Sequence, residues 1–451
     1  MEDNFEGVAL CALGLEKMLG LEIAKIGLKA TSKTPGRVGF TTDLKGLFRA
    51  NLELRTAERI LLILGRFPAG DFDALFEGAR RPDWERFFAP EDRLVIERVR
   101  IRESKLAAQT TVQSVTHKAI YEKLGKVYGL KRMPETGRER SLRIYLDNDE
   151  CSLGLDLSGE ALHRRGWRKA AGDAPLKETV AAGILLLAGY RRHKSLLDPF
   201  CGSGTFLIEA AHFAMERAPG LDRHFAIETM PLIREGAATI FSGERERARA
   251  AVRKDVEPIL VGRDADPQAI DNARGNAARA GVAPLIDFAV GAAEECAPPS
   301  EEGILLGNPP WGERLGTPAE TRALYKRLGA AWGLSREAPP QAEANPAERF
   351  KNWSLGIVTN DPEAGHLFGQ PAPVLKEIMN GAEAHWFHWY PADRRPVGHS
   401  AGAGYRGGSR ARGDRAGETR QAPAKRASGR PPKKGGKPRA RSTKPGPKPE
   451  L

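Results

Sequence analysis

Cysteine is scarce in this chain. The four present, Cys11, Cys151, Cys201 and Cys296, lie far apart. No disulfide scaffold and no zinc-ligand spacing is expected, so no metal site is assigned and a reducing cytoplasm is the expected location. Long apolar runs are missing too. The longest, Val180 to Tyr190, falls far short of the roughly 20 residues that a membrane-spanning helix needs, so no membrane is expected as a partner. The opening MEDNFEGVAL is acidic and lacks a basic stretch followed by an apolar core, so no signal peptide is expected. No repeat of solenoid period is visible. What remains is ordinary globular usage, 41% hydrophobic and 28% charged residues, so most of the chain should fold. Its 451 residues suit about two to four domains.

The net charge of +12 points to a polyanionic partner, but its placement is uneven. From Arg394 to Leu451, 17 Lys and Arg face three acids, a net of +14, and the remainder carries −2. This last stretch is dense in Gly and Pro and nearly free of large apolar side chains, so residues 394–451 read as a disordered basic tail. The tail suits non-specific tethering to RNA through phosphate neutralisation, or plain solubilisation. A second basic region is local. Between Arg98 and Arg143, 12 basic residues face four acids. LVIERVRIR (Leu94 to Arg102) alternates as a strand with one basic face. Val112 to Gly129 spaces its apolar residues as one helical face. Ser141 to Gly159 reads as two strands around an Asp-Asn-Asp turn. A basic strand and helix beside a hairpin form a candidate RNA platform, with Arg98, Arg100, Arg102, Lys105, Lys118, Lys123, Lys126 and Arg132 as its contacts. The alternative is an ordinary solvated face. The first 60 residues read as a small α/β unit, in which Asp43 caps a helix that leads into a strand.

At Asp198 the chain changes character. A short apolar strand (Leu196, Leu197) runs into DPFCGSGT, and a helix begins at Thr205. Ligands in open α/β sheets sit at the carboxyl ends of strands, and glycines there let the backbone approach closely. The third glycine of a dinucleotide fingerprint is missing, and an acid opens the turn. That chemistry suits a cationic ligand, and S-adenosylmethionine carries both an ammonium and a sulfonium. Asp198, Pro199, Cys201, Gly202, Gly204 and Thr205 are therefore assigned to it. A second strand, Ile259 to Gly262, ends near Asp264, Ala265 and Asp266. Asp264 suits the two ribose hydroxyls, while Asp266 before Pro267 reads as a helix cap.

GILLGNPPWGERLG (Gly303 to Gly316) reads as a fourth strand ending in Asn308, Pro309, Pro310 and Trp311. The exocyclic amine of a nucleobase is a poor nucleophile, because its lone pair is delocalised into the ring. It needs acceptors that hold its hydrogens and aim the nitrogen. The Asn308 oxygen and the Pro309 carbonyl can do so, and the two prolines stiffen the loop. Trp311 offers a face for a flipped base. The same turn could otherwise be a plain Pro-rich loop.

These segments resemble the class I S-adenosylmethionine-dependent methyltransferases that act on exocyclic amines. With LDLSGEALHRRGWRKAAGDAPLKETVAAGILLLAG (Leu155 to Gly189), the similarity narrows to the THUMP-containing RlmL-type guanine-N2 methyltransferases of 23S ribosomal RNA. It covers about Phe5 to Pro391. The resemblance implies an α/β fold: a ferredoxin-like domain (1–60), a THUMP RNA-binding domain (61–160) and a Rossmann-like methyltransferase domain (161–393) with an added antiparallel strand. It also implies S-adenosylmethionine as cofactor, and 23S rRNA or a large-subunit precursor as partner. Guanine-N2 methylation of tRNA and a non-catalytic role in ribosome assembly are the alternatives. Two positions depart from the family pattern. Gly291 stands where an acid usually receives the adenine amino group, which leaves that role to the backbone of Gly291 and Ala292 or to Glu294. Trp311 stands where Tyr is common.

Overall fold

The computed structural model describes residues 4–168, 176–234, 236–311, 317–335 and 346–394. The basic tail, apart from Arg394, lies outside the described residues. Two seven-stranded sheets carry the fold.

The first sheet is built from β1 (Phe5–Cys11), α1 (Glu16–Lys25), β2 (Lys29–Thr34), β3 (Arg37–Thr42), α2 (Leu44–Glu53), β4 (Ala57–Pro68), α3 (Phe72–Arg80), β5 (Arg93–Arg102), α4 (Gln109–Tyr128), β6 (Glu139–Asp147) and β7 (Glu150–Asp156). Local chemistry sets these ends. The Asp43 carboxylate accepts from the Gly46 N–H at 2.8 Å and starts α2, as Asp71 starts α3 by accepting from Ala74. The Asp-Asn-Asp turn closes the β6–β7 hairpin with Asn148 and Asp149 at φ of 51° and 58°, the left-handed conformation a two-residue hairpin turn demands. The strand order is β2-β3-β1-β4-β7-β6-β5. Strand β4 joins the two halves, pairing with β1 through Leu62 and with β7 from Leu61 to Pro68. The expected domain boundary at residues 60 and 61 therefore falls within a strand. Helices α1–α4 bury one face of the sheet, where Leu19, Phe48, Leu75 and Ile120 meet Phe40, Leu62 and Leu153.

The second sheet follows, with α5 (Glu178–Leu187), β8 (Ser195–Asp198), α6 (Thr205–Ala214), α7 (Ala237–Ala250), β9 (Leu260–Asp264), α8 (Pro267–Arg279), β10 (Ile286–Val290), β11 (Gly303–Gly307), α9 (Pro318–Ala331), β12 (Trp353–Thr359), β13 (Val374–Asn380) and β14 (Glu383–Tyr390). Its order is β10-β9-β8-β11-β12-β14-β13. All strands run parallel except β14, which is antiparallel to both neighbours. Strand order reverses between β8 and its flanks, which opens a crevice at the carboxyl ends of β8, β9 and β11. The aromatic run of β14 belongs to the interior, with Phe387 and Tyr390 buried.

The chain between α6 and β9 does not stay on the second sheet. Helix α7 packs Phe241 flat against Phe48 of α2 at 4.3 Å between ring centroids, and Phe225 meets the same ring edge-on at 5.8 Å. Buried Arg140 ties this segment down further. Its guanidinium donates to Asp92 at 2.8 Å and to the Thr229 hydroxyl and carbonyl at 2.9 and 2.7 Å. Glu58 of β4 makes a second joint, accepting from Thr179 of α5 and pairing with His163 and Lys177.

Candidate active site

Two carboxylates and an amide stand at the ends of three adjacent strands. Asp198 closes β8 and is buried, with one oxygen accepting from the Phe200 N–H at 3.1 Å. Burial, with the Asp264 charge adding to it, pushes this carboxyl well above the ordinary range. Asp264 closes β9. Its oxygens accept from the Gly202 N–H at 2.9 Å and the Asp266 N–H at 3.0 Å. The Gly-rich turn is thus tied to the second strand end through Asp264, and the carboxylate is aimed while keeping lone pairs for a diol. Asp266 caps α8 by accepting from Gln268 at 2.9 Å, and Pro267 takes the first helical position.

Gly202 and Gly204 lie at φ of 50° and 81°. A Cβ on Gly204 would sit 3.1 Å from Phe288 and in a strained backbone region. Cys201 is buried, and its thiol is pushed up by burial first and then by Asp198 and Asp264, so it is packing rather than a nucleophile. Asn308 follows β11 directly. Its side-chain oxygen is buried and has no hydrogen-bond partner among the described residues. Seven other buried side-chain atoms share that state among the described residues, and Asn308 differs from them in lining the cavity at the strand ends.

These groups surround one cavity of about 1120 Å³. Asp198, Pro199, Cys201, Gly202, Thr205, Asp264, Ala265, Ala292, Asn308 and Pro310 line it. Gly204 stands one step behind as the residue before α6. Gly291 donates its N–H to the Asp264 carbonyl at 3.0 Å, so that backbone group is engaged in holding the second strand end. Glu294 does reach the cavity, paired with Arg327 at 3.1 Å. Trp311 packs edge-to-face with His385 of β14 at 5.5 Å, which fixes it beside the strand ends.

Arg168 is a cavity residue that sequence reasoning missed. Its guanidinium donates to Glu178 at 2.9 Å, to the Ser203 hydroxyl at 2.9 Å and to the Thr205 hydroxyl at 2.8 Å. It therefore braces the Gly-rich turn from outside the motif. Nothing in a charge count separates it from its neighbours Arg164 and Arg165, which face elsewhere.

The cavity fits S-adenosylmethionine on three grounds. Asp198 offers a carboxyl to a cation, the aimed Asp264 offers a carboxylate to a diol, and Phe206, Ala293 and Leu324 supply an apolar wall. Among the described residues, no group of His, Cys, Asp and Glu could hold a metal ion.

The expected RNA platform is divided. In β5, Val99 and Ile101 pack towards the core shared with α4, so Arg98, Arg100 and Arg102 point to the opposite side of the sheet. Lys118 and Lys126 are exposed on α4, Lys123 is half-buried there, and Arg132 is exposed just beyond it. Lys105, in the β5–α4 connection, pairs with Asp149 at 3.7 Å. The strand and helix sets cannot touch one ligand surface together.

Comparison with known proteins agrees with this geometry. Residues 165–334 match the RMKL-like methyltransferase domain, and residues 6–61 match the RlmL ferredoxin-like domain. The chain is 32% identical over 391 residues to a Bacillus subtilis protein that carries the name of an RNA methyltransferase, YpsC, covering 86% of this chain and 96% of that one. It is 34% identical over 386 residues to the ribosomal RNA large subunit methyltransferase K/L of Methylococcus capsulatus, covering 82% of this chain and 49% of that one. The chain therefore spans about half the length of the K/L relatives it matches. A crystal structure of SMU.472, a methyltransferase by name, in complex with SAH superposes with a TM-score of 0.77 at 31% identity, over 87% of this chain and 99% of that one. Strand order, strand-end acids and these similarities together place the chain in the RlmL-type RNA methyltransferase family, with a class I, S-adenosylmethionine-dependent catalytic domain.

Proposed function

We propose that the chain methylates the exocyclic N2 amine of a guanine in 23S ribosomal RNA. The observation that carries this reading is the buried Asn308 oxygen at the end of β11, which lines the cavity and has no hydrogen-bond partner among the described residues. A buried amide acceptor without a partner is suited to receive a hydrogen from an incoming amine. Asp198 and Asp264 would hold the ammonium and ribose of S-adenosylmethionine. When bound, that cofactor would supply an electrophilic methyl on its sulfonium to the amine nitrogen, whose surplus proton would pass to water. Asn308 and the Pro309 carbonyl hold the amine hydrogens and so turn the lone pair out of conjugation. Trp311 gives the base a surface to stack on. The acceleration then comes from positioning, with no strong base required. The large-subunit rRNA target is supported by the names of the K/L relatives, and the THUMP reading of residues 61–160 supports RNA as the partner. The test is methylation of total RNA by the full chain, followed by mass spectrometry of the nucleosides. N2-methylguanosine confined to the 23S fraction is the expected result. Its appearance in tRNA alone would move the assignment to tRNA, and its absence from every fraction would end it.

A further inference from the structure

A trough of about 600 Å³ lies on the first sheet, on the face opposite α1–α4. Alternation puts Val38 and Phe40 of β3 under the helices and Arg37 and Gly39 on the trough side. Arg66 from β4, Arg100 and Arg102 from β5 and Tyr145 from β6 line the same trough.

The face is concave. Strands β3 and β6 have three strands between them, which in a flat sheet would separate them by about 19 Å. Yet the Arg37 guanidinium carbon lies 4.2 Å from the centre of the Tyr145 ring. Register shifts in β1, β2, β4 and β5 are the irregularities that bend strands in this way. Arg37 and Tyr145 therefore bridge the trough from opposite banks.

Four arginines line the trough, Arg37, Arg66, Arg100 and Arg102, against the two acids Asp147 and Glu150, so positive charge is in excess there. Arg66 pairs with Glu6, and Arg102 pairs with Asp147. Arg37 and Arg100 form no ion pair among the described residues, and Arg37 rests instead on the Tyr145 ring. Burial pushes the Arg37 guanidinium down. Arg100 and Arg66 press the same way, while Tyr145 and Asp147 oppose them. A half-buried guanidinium with the exposed Arg66 and Arg100 beside it gains from an added anion.

We propose that this trough binds a single-stranded segment of RNA, with phosphates on Arg37 and Arg100 and an unstacked base on the Arg37–Tyr145 pair. The inference rests on the reading of RNA as substrate. It assigns the contact to the sheet face rather than to the α4 lysines, and it recruits Arg37 from the ferredoxin-like domain. A guanidinium plane laid on an aromatic ring is a stacking surface for a nucleobase, which an acidic peptide has no use for. Bases inside a duplex have no free face to offer it.

Fluorescence anisotropy with a labelled mixed-sequence single-stranded RNA tests this on the full chain. The double variant Arg37→Ala/Arg100→Ala should weaken binding about tenfold and flatten its salt dependence by roughly one to two units of slope. Tyr145→Ala should weaken it several-fold with the slope kept. Lys118→Ala/Lys123→Ala/Lys126→Ala should change little. Calorimetric binding of S-adenosylmethionine, whose site lies on the other sheet, serves as the folding control. An unchanged affinity in the sheet variants, or an equal loss in the helix variant, would overturn the proposal. Competition by inorganic phosphate equal to that by RNA would identify a simple anion site and overturn it too. Ultraviolet crosslinking of 4-thiouridine RNA to the unaltered chain needs no variant. Peptides spanning residues 37–42 and 139–147 should carry the label, and label confined to 109–128 would refute the assignment. Binding is read without turnover. A loss of N2-methylguanosine formation with crosslinks intact would therefore count against the catalytic reading alone.

Discussion

At the scale of single residues, the roles proposed for Asn308 and Asp198 can be tested most directly. Asn308→Ala should lower methyl transfer by roughly 10²–10³-fold, as loss of one preorganised polar group in an active site does, while RNA affinity stays near the original. Single-turnover kinetics beside RNA binding check this, and an equal loss of both would remove the assigned role. Asp198 makes a prediction in pH. Its carboxyl is held well above the ordinary value of 3.8, so the free chain keeps a proton there over a range in which an exposed Asp has none. Pairing with an ammonium ionises it. Cofactor binding should therefore release a proton and tighten as pH rises, which calorimetry in buffers of different ionisation heats measures directly. The folded state binds the extra proton, so this group's contribution to stability is present at low pH and is lost as pH rises through its folded value. Asp198→Asn should then raise the melting temperature at neutral pH while weakening S-adenosylmethionine binding by roughly tenfold or more. The turn and the acids were legible because each carries its own signature: an acid at a strand end, then glycines, then a helix. Arg168 was not legible, because only the fold shows that it reaches Ser203 and Thr205.

Elements show a similar division. Strands β8, β9 and β11 and helices α4, α6 and α8 follow from local patterns in the sequence. The placement of α7 does not. Its sequence, AATIFSGERERARA, is an amphipathic helix of modest apolar content, and no local pattern says which sheet it will join. The structure puts Phe241 and Phe225 around Phe48, so a segment within the methyltransferase portion helps complete the core of the first sheet. Phe241→Ala should accordingly cost about 3–4 kcal/mol of stability. A denaturant titration should show that loss, and a cost below about 1 kcal/mol would mean α7 docks only loosely.

For the molecule as a whole, Glu58 is the joint whose chemistry can be tested by acid. Burial alone would raise its carboxyl, but His163, Lys177 and Thr179 outweigh that and bring it from the ordinary 4.5 to about 2. A carboxylate lowered in the folded state stabilises above its unfolded value, and that contribution is lost as pH falls from about 4.5 towards 2. Glu58→Gln should lose roughly 2–3 kcal/mol at neutral pH and flatten the stability profile across the acid window. Thermal melts as a function of pH read both effects. The basic tail makes the other prediction at this scale. The residues after Arg395 carry 15 Lys and Arg against three acids, a net of +12 that equals the charge of the whole chain, so removing them should weaken RNA binding and reduce its salt dependence by several units of slope. The modified nucleoside should be unchanged, and a shift in the methylated position would show that the tail selects the target.

The sequence by itself determined where the candidate groups of the second sheet fall: an acid at the end of the first strand, an acid at the end of the second, an amide just after the fourth, and a glycine turn between. Such features are set by neighbours within a few residues, and local sequence records them. Tertiary structure alone decided how the remote pieces meet. It ran β4 through both halves of the first sheet, carried α7 to that sheet, and split the basic residues of β5 from those of α4. It also drew Arg37 and Tyr145, 108 positions apart in the chain, across one concave face. Those outcomes depend on strand order and sheet curvature, and neither is written in any single stretch of the chain.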